Sequence, residues 1–94
     1  MYARLVRFST VADSGPAAQK VADDLTPLIA KQPGCESVTV FGDENDGEYG
    51  IFVLWDSEEH AKAAAMIVRP VLDEHLSGYL TGPPDARLFP VLSP

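Results

Sequence analysis

The sequence predicts one small α+β domain of ferredoxin-like topology, with a four-stranded antiparallel sheet and two helices. The chain has 94 residues, of which 46% are hydrophobic, enough for a single core over residues 1–94. Its hydrophobic segments follow the order strand, helix, strand, strand, helix, strand, as in a split βαβ fold. Apolar residues lie on both sides of several strands. A second copy of the chain is therefore expected to cover the sheet face opposite the helices.

The first half of the chain predicts a central strand and a helix. Tyr2 to Phe8 is rich in β-branched and aromatic residues and is apolar on both faces. Pro16 suits the first turn of the helix, and Pro27 predicts a kink or an early end within it. The apolar positions at helical spacing are Val21, Leu25, Leu28 and Ile29. Pro33-Gly34 then ends the helix.

The second half predicts a hairpin, a helix in two segments and an edge strand. The hairpin strands are Glu36 to Phe41 and Tyr49 to Trp55. Asp56 is the predicted helix cap, and the small residues Ala61, Ala64, Ala65 and Val68 predict close packing of this helix. Pro70 predicts a break. The last strand is Ala86 to Leu92, where Pro90 suits an edge.

Composition argues against several classes of partner. The net charge is −7 and the seven Lys and Arg side chains are scattered, which disfavours nucleic acid and anionic membranes. No apolar run approaches the roughly 20 residues that span a bilayer. The charged amino-terminal segment does not resemble a signal peptide, so a cytoplasmic location is expected. The single cysteine, Cys35, fits that expectation and is interpreted as structural.

No motif for nucleotide binding, serine hydrolysis or zinc proteolysis is present. Asp73-Glu74-His75 offers metal-ligand atoms, but adjacent helical residues point in different directions. We therefore expect no metal site and no cofactor.

A few side chains are candidates for a small-molecule site. His75 shares a helical face with Leu72, Leu76 and Tyr79, which predicts that it points inward as a base. Arg7, like Arg4, lies among apolar strand residues, where it can hold an oxyanion. The aromatic residues Trp55, Tyr79 and Tyr49 are candidates for ligand stacking. The alternative for each is structural: a half-buried histidine, a salt-bridged arginine and core aromatics.

With these residues laid out, the chain resembles the antibiotic biosynthesis monooxygenase-like (ABM) family of dimeric α/β barrels. The resemblance rests on the first strand, on Gln32-Pro33-Gly34-Cys35, on the hairpin, and on the junction from Leu54 to Ala61. It implies a homodimer. The family includes cofactor-free oxygenases of phenolic or quinol-like compounds, haem-degrading enzymes and proteins without known activity. The resemblance therefore implies the fold and not a particular reaction.

The haem-degrading branch is the weaker match. Its pattern has an Asn on the first strand, a Trp on the second helix and a later His. In this chain the first strand has no Asn, Ala63 stands near the position expected for the Trp, and Asp73 stands near that expected for the His. His75 is offset by two residues.

The leading interpretation is thus a dimer that binds a small aromatic or quinol-like molecule, as a cofactor-independent monooxygenase with His75 as base and Arg7 as oxyanion partner. The rival is a non-catalytic ligand-binding or structural dimer.

Overall fold

The four strands form one antiparallel sheet, and two helices pack on one of its faces. The computed structural model describes residues 1–94. Its elements are β1 (Tyr2–Ser9), α1 (Gly15–Ala30), β2 (Cys35–Asp43), β3 (Glu48–Trp55), α2 (Glu58–Leu76) and β4 (Asp85–Pro90). The sheet order is β2-β3-β1-β4, with β1 central and β4 at an edge. The predicted fold class, element order and edge strand are confirmed.

The register decides which strand residues face the helices. Val6 pairs with Ile51 and Arg4 pairs with Val53, so alternate residues of β1 and β3 share one face. The helix-facing residues of these strands are Tyr2, Arg4, Val6, Phe8, Tyr49, Ile51, Val53 and Trp55. Arg7 and Phe52 belong to the opposite face, because side chains alternate along a strand.

The core lies between this sheet face and the two helices. The central strands contribute Phe8, Ile51, Val53 and Trp55, α1 contributes Val21, Leu25 and Ile29, and α2 contributes Ala61, Ala64, Leu72 and Leu76. The helices pack against each other, and α1 also packs on β2. No helix has both the length and the apolar character needed to cross a membrane.

The structure corrects three expectations about the helices. Pro70 does not divide the second helix, since α2 runs without interruption from Glu58 to Leu76. Pro27 does not end α1 early, because the helix continues to Ala30, and the alternative of a kink at this residue stays a prediction. The cap of α2 is Ser57, whose hydroxyl accepts a hydrogen bond from the His60 backbone N–H at 3.2 Å. Asp56, the predicted cap, pairs instead with the His60 ring at 2.7 Å.

The face of the sheet away from the helices is open and apolar. Phe41, Phe52 and Phe89 are 48%, 38% and 39% exposed there. Ala3, Leu5 and Leu54 alternate onto the same side and are partly buried. This open face, defined by those six residues, is the second apolar surface that the strand patterns predict.

Candidate functional site

A cavity of about 280 Å³ lies between α2 and the helix-facing side of the sheet. Fourteen residues line it and twelve are hydrophobic. They are Arg4 and Val6 of β1, Ile29 of α1, Ile51, Val53 and Trp55 of β3, Ala61, Ala64, Ala65, Met66, Val68, Arg69 and Leu72 of α2, and Ala86 of β4. Its volume is near the lower end of the roughly 300–1,000 Å³ typical of ligand pockets.

Short side chains on α2 create this space. The residues that α2 presents to the cavity in its first half include Ala61, Ala64, Ala65 and Val68. Farther along the helix, Leu72 and Leu76 are almost fully buried and fill the core. Ala61 and Ala64 are buried in the core, but the short side chains of this segment leave a cavity between the helix and the sheet.

Trp55 forms part of the cavity wall at the end of β3. It is 3% exposed, and its indole N–H is buried with no hydrogen-bond partner. Tyr2 lies beside it on β1 and Cys35 on β2, where the pairing shifts between Cys35 and Ser37. A buried donor without a partner costs about 1–3 kcal/mol, so this indole N–H lowers the stability of the fold at the cavity wall.

The polar lining consists of two arginines. Arg69 donates from Nε to Asp73 Oδ1 at 3.0 Å, which partly neutralises it. Arg4 is half-buried, and its guanidinium makes neither a salt bridge nor a side-chain hydrogen bond. Burial lowers the pKa of Arg4, but an arginine stays protonated in proteins. Arg4 is thus an unpaired cation in an apolar wall.

His75 does not line the cavity. Its Nδ1 lies 2.9 Å from the Val71 carbonyl oxygen, and its Nε2 lies 2.9 Å from Asp24 Oδ2 on α1. The hydrogen bond with Asp24, and then that with Val71, raise the pKa of His75. Both ring nitrogens are occupied in a contact that joins the two helices. The structure therefore does not bring His75 to this cavity, and its role as a base stays a prediction.

The other predicted site residues also lie away from the cavity. Arg7 is exposed on the opposite side of the sheet. Tyr49 stacks on Phe8, with ring centroids 5.6 Å apart, at the far end of the strands. Tyr79 follows α2 and is 40% exposed. Of the aromatic and charged residues singled out for the site, the structure brings together Trp55 and Arg4.

The sequence contains a signal that favours Arg4 over Arg7 for the site. Arg4 occurs in strict alternation with Tyr2, Val6 and Phe8, the apolar side of β1, whereas Arg7 is out of phase with them. That alternation favours Arg4 for the helix-facing side. Nothing in the helix pattern marks Arg69, because it lies at the exposed rim of α2.

Metal-ligating side chains do not come together anywhere in the chain in groups of three or more. Cys35 is partly buried, and burial raises the pKa of its thiol, so the reactive thiolate is disfavoured. These residues offer no second site.

Comparisons with known proteins agree with the fold. The family model for antibiotic biosynthesis monooxygenase matches residues 1–65, which include most of the cavity wall. No curated protein sequence matches the chain significantly.

Solved structures share the fold at low sequence identity. A protein of unknown function from Nitrosomonas europaea is 19% identical, with a TM-score of 0.84 over 99% of this chain and 90% of that one. The ActVA-Orf6 monooxygenase of Streptomyces coelicolor, in complex with Nanaomycin D, is 20% identical, with a TM-score of 0.77 over 99% and 88%. SnoaB, a cofactor-independent oxygenase from Streptomyces nogalater, is 18% identical, with a TM-score of 0.75 over 99% and 94%. Because its family model covers more than half of the sequence, this chain belongs to the antibiotic biosynthesis monooxygenase family.

Proposed function

We propose that this protein binds a small phenolic or quinol-like molecule in the cavity beneath α2 and oxygenates it without a cofactor. The observation that carries the proposal is an apolar cavity of about 280 Å³ whose wall holds the half-buried guanidinium of Arg4, which has no acidic partner. Apolar pockets with a few convergent polar groups are the usual form of small-molecule sites. Family membership and the two structurally similar oxygenases support the choice of reaction.

The cavity residues suit an electron-rich aromatic ring. The apolar wall, to which the Trp55 side chain belongs, excludes water from the ring. The positive charges of Arg4 and Arg69 favour a phenolate over a neutral phenol, which increases the electron density available to molecular oxygen. A CH₂ group beside the ring then becomes a carbonyl: CH₂ + O₂ gives C=O + H₂O.

No side chain that accepts a proton near neutral pH lines the cavity. We therefore assign deprotonation to the effect of the positive field on the ligand, with the proton passing to solvent, and not to His75. The same observation favours the second candidate function, a binding domain without catalysis. The two differ in whether bound ligand consumes oxygen.

The test is oxygen uptake with a hydroxyanthrone, which carries both a phenolic oxygen and an oxidisable CH₂. We expect uptake above the spontaneous rate, accompanied by the corresponding quinone, and reduced uptake in an Arg4→Gln variant. The matched control is Arg7→Gln, which removes an arginine from the opposite face of the same strand. Ligand binding without enzyme-dependent uptake would leave the binding domain as the function.

We further propose that the protein is a homodimer through the open face. Three phenylalanines there are more than a third exposed, and strands with apolar groups on both sides need a cover on each. A second copy provides that cover, because a two-fold pair buries the same patch on both chains.

A further inference from the structure

The side chains that line the cavity carry positive charge, whereas the net charge of the whole chain is negative. The sequence has fourteen acidic and seven basic side chains. None of the acidic ones lines the cavity, whereas two arginines do. The wall therefore combines cationic guanidinium groups with apolar groups and the indole ring of Trp55. Such a set is complementary to an apolar molecule that carries negative charge and hydrogen-bond acceptors.

Arg4 is the cation available to a ligand. Arg69 is paired with Asp73 at 3.0 Å, and Lys62, which lies close enough to Arg4 for their like charges to interact, is paired with Glu58 at 2.7 Å. Arg4 has no acidic partner. A half-buried cation without a counter-ion gains from an anion, and its planar fork fits a carboxylate with two hydrogen bonds.

Arg4 and Trp55 lie within reach of one ligand. Arg4 pairs with Val53, so Trp55 is its diagonal neighbour on the same face of the sheet. Diagonal neighbours in an antiparallel pair are roughly 7–8 Å apart. A planar ring system spans such a distance, with an acidic group at the Arg4 end and the ring against the Trp55 side chain.

We infer that the cavity selects aromatic acids: Arg4 binds the ligand carboxylate, and the apolar wall, which includes Trp55, packs against the ring. This inference rests on the proposed binding site and specifies its substrate class. Arg4 is thereby a specificity-determining residue that separates acids from neutral molecules of the same shape.

The test compares 2-naphthoate with 2-naphthalenemethanol, an uncharged molecule of similar shape. Trp55 is the only tryptophan, so its indole N–H gives a single, identifiable ¹⁵N–¹H resonance that reports occupancy of the cavity. We expect the acid to bind the wild-type protein about tenfold or more tightly than the alcohol, since hydrogen bonds to charged groups have about that effect.

The variants identify the group responsible. Arg4→Gln should remove the preference by weakening the acid alone, and Arg4→Lys should keep part of it. Lys31→Gln makes the same change in net charge at an exposed helix end and should keep the full preference. An unchanged indole resonance and circular dichroism spectrum in ligand-free Arg4→Gln would verify its fold.

Two results would overturn the inference. Equal affinity for acid and alcohol in the wild type, with shifts of the Trp55 resonance, would show a binding cavity that does not select acids. The proposed site would then stand without this specificity. No shift with either probe at millimolar concentration would contradict both the inference and the proposed site.

Discussion

At the scale of single residues, position on the sheet decides which side chains reach the cavity more than residue type does. Arg4 and Arg7 have the same side chain on the same strand, but only Arg4 lies in the cavity wall. Since successive residues face opposite sides, the three-residue separation places them on opposite faces. Trp55 likewise depends on the β3 register, which pairs it with Tyr2 and orients it toward the helices. A shift of one residue would remove both groups from the site.

The orphaned indole N–H leads to a prediction about Trp55. Trp55→Ala should lower the free energy of unfolding by about 3–5 kcal/mol, because it removes a large buried ring. Trp55→Phe should cost about 1 kcal/mol or less, because the loss of ring volume is offset by removal of a buried donor without a partner.

Urea unfolding followed by far-ultraviolet circular dichroism measures both changes without relying on tryptophan fluorescence. Equal losses in the two variants would indicate that the N–H has a hydrogen-bond partner in solution.

At the scale of elements, α2 has two functions along its length. Its first half forms the cavity roof with short side chains, and its second half anchors the helix through Leu72, Leu76 and the contact from His75 to Asp24. Pro70 lies between the two halves. The packing of its second half thus holds the alanine segment of the helix over the sheet.

The His75 contact predicts how stability depends on pH. The hydrogen bond with Asp24 raises the pKa of His75. The pKa of Asp24 is lowered, first by its hydrogen bond with His75 and then by its hydrogen bond with Lys20. The His75 contribution is therefore full below its unfolded pKa of about 6.5 and is lost as the pH rises through the folded pKa. The Asp24 contribution is present above its unfolded pKa of about 3.9 and is lost as the pH falls through the folded pKa.

Melting temperatures measured between about pH 6 and about pH 9 should fall more steeply for the wild type than for His75→Gln. Asp24, Lys20 and the Val71 carbonyl are the groups that face this ring. His60→Gln is the control, since His60 pairs with Asp56 at the other end of α2. Equal slopes in wild type and His75→Gln would show that the pair does not contribute. Ligand affinity should be unchanged in His75→Gln, because the residue lies outside the cavity.

Pro70 gives a second prediction for α2. A proline inside a helix removes the hydrogen bond to the carbonyl four residues earlier, here that of Met66. Pro70→Ala should therefore raise the free energy of unfolding by about 1–2 kcal/mol, after subtracting the greater entropy of the unfolded chain. Pro16→Ala serves as the control, because Pro16 lies in the first turn of α1, where no such bond is lost. A decrease in stability for Pro70→Ala would mean that the helix requires the proline geometry.

At the scale of the whole molecule, the fold could be predicted from the sequence and the site only in part. Strand and helix periodicities give the element order, because burial on one face repeats every second or every third to fourth residue. The continuity of α2 through Pro70 could not be read from the sequence, since tertiary packing overrides local preference. The placement of His75 was missed because the face it shares with Leu72 and Leu76 also borders α1, where Asp24 binds it.

The open face carries the last prediction, which concerns assembly. Phe52 lies on β3 among Leu5, Phe41 and Leu54, in the middle of the uncovered sheet. If a second copy packs there, an aspartate at this position buries a charge against an apolar surface, which costs several kcal/mol on each side of a two-fold interface. Phe52→Asp should therefore be monomeric at micromolar concentration, whereas the wild type should sediment at twice the chain mass of 10.1 kDa.

Ile67→Asp is the matched control. Ile67 is 51% exposed on α2, more than Phe52, but it lies on the helical side of the molecule. We expect this variant to stay dimeric, because the same charge is introduced outside the open face. Circular dichroism would verify that both variants keep their secondary structure. A wild type that sediments as a monomer at micromolar concentration would contradict the dimer. Dissociation by Ile67→Asp alone would place the interface on the helices, and the open face would then need another cover.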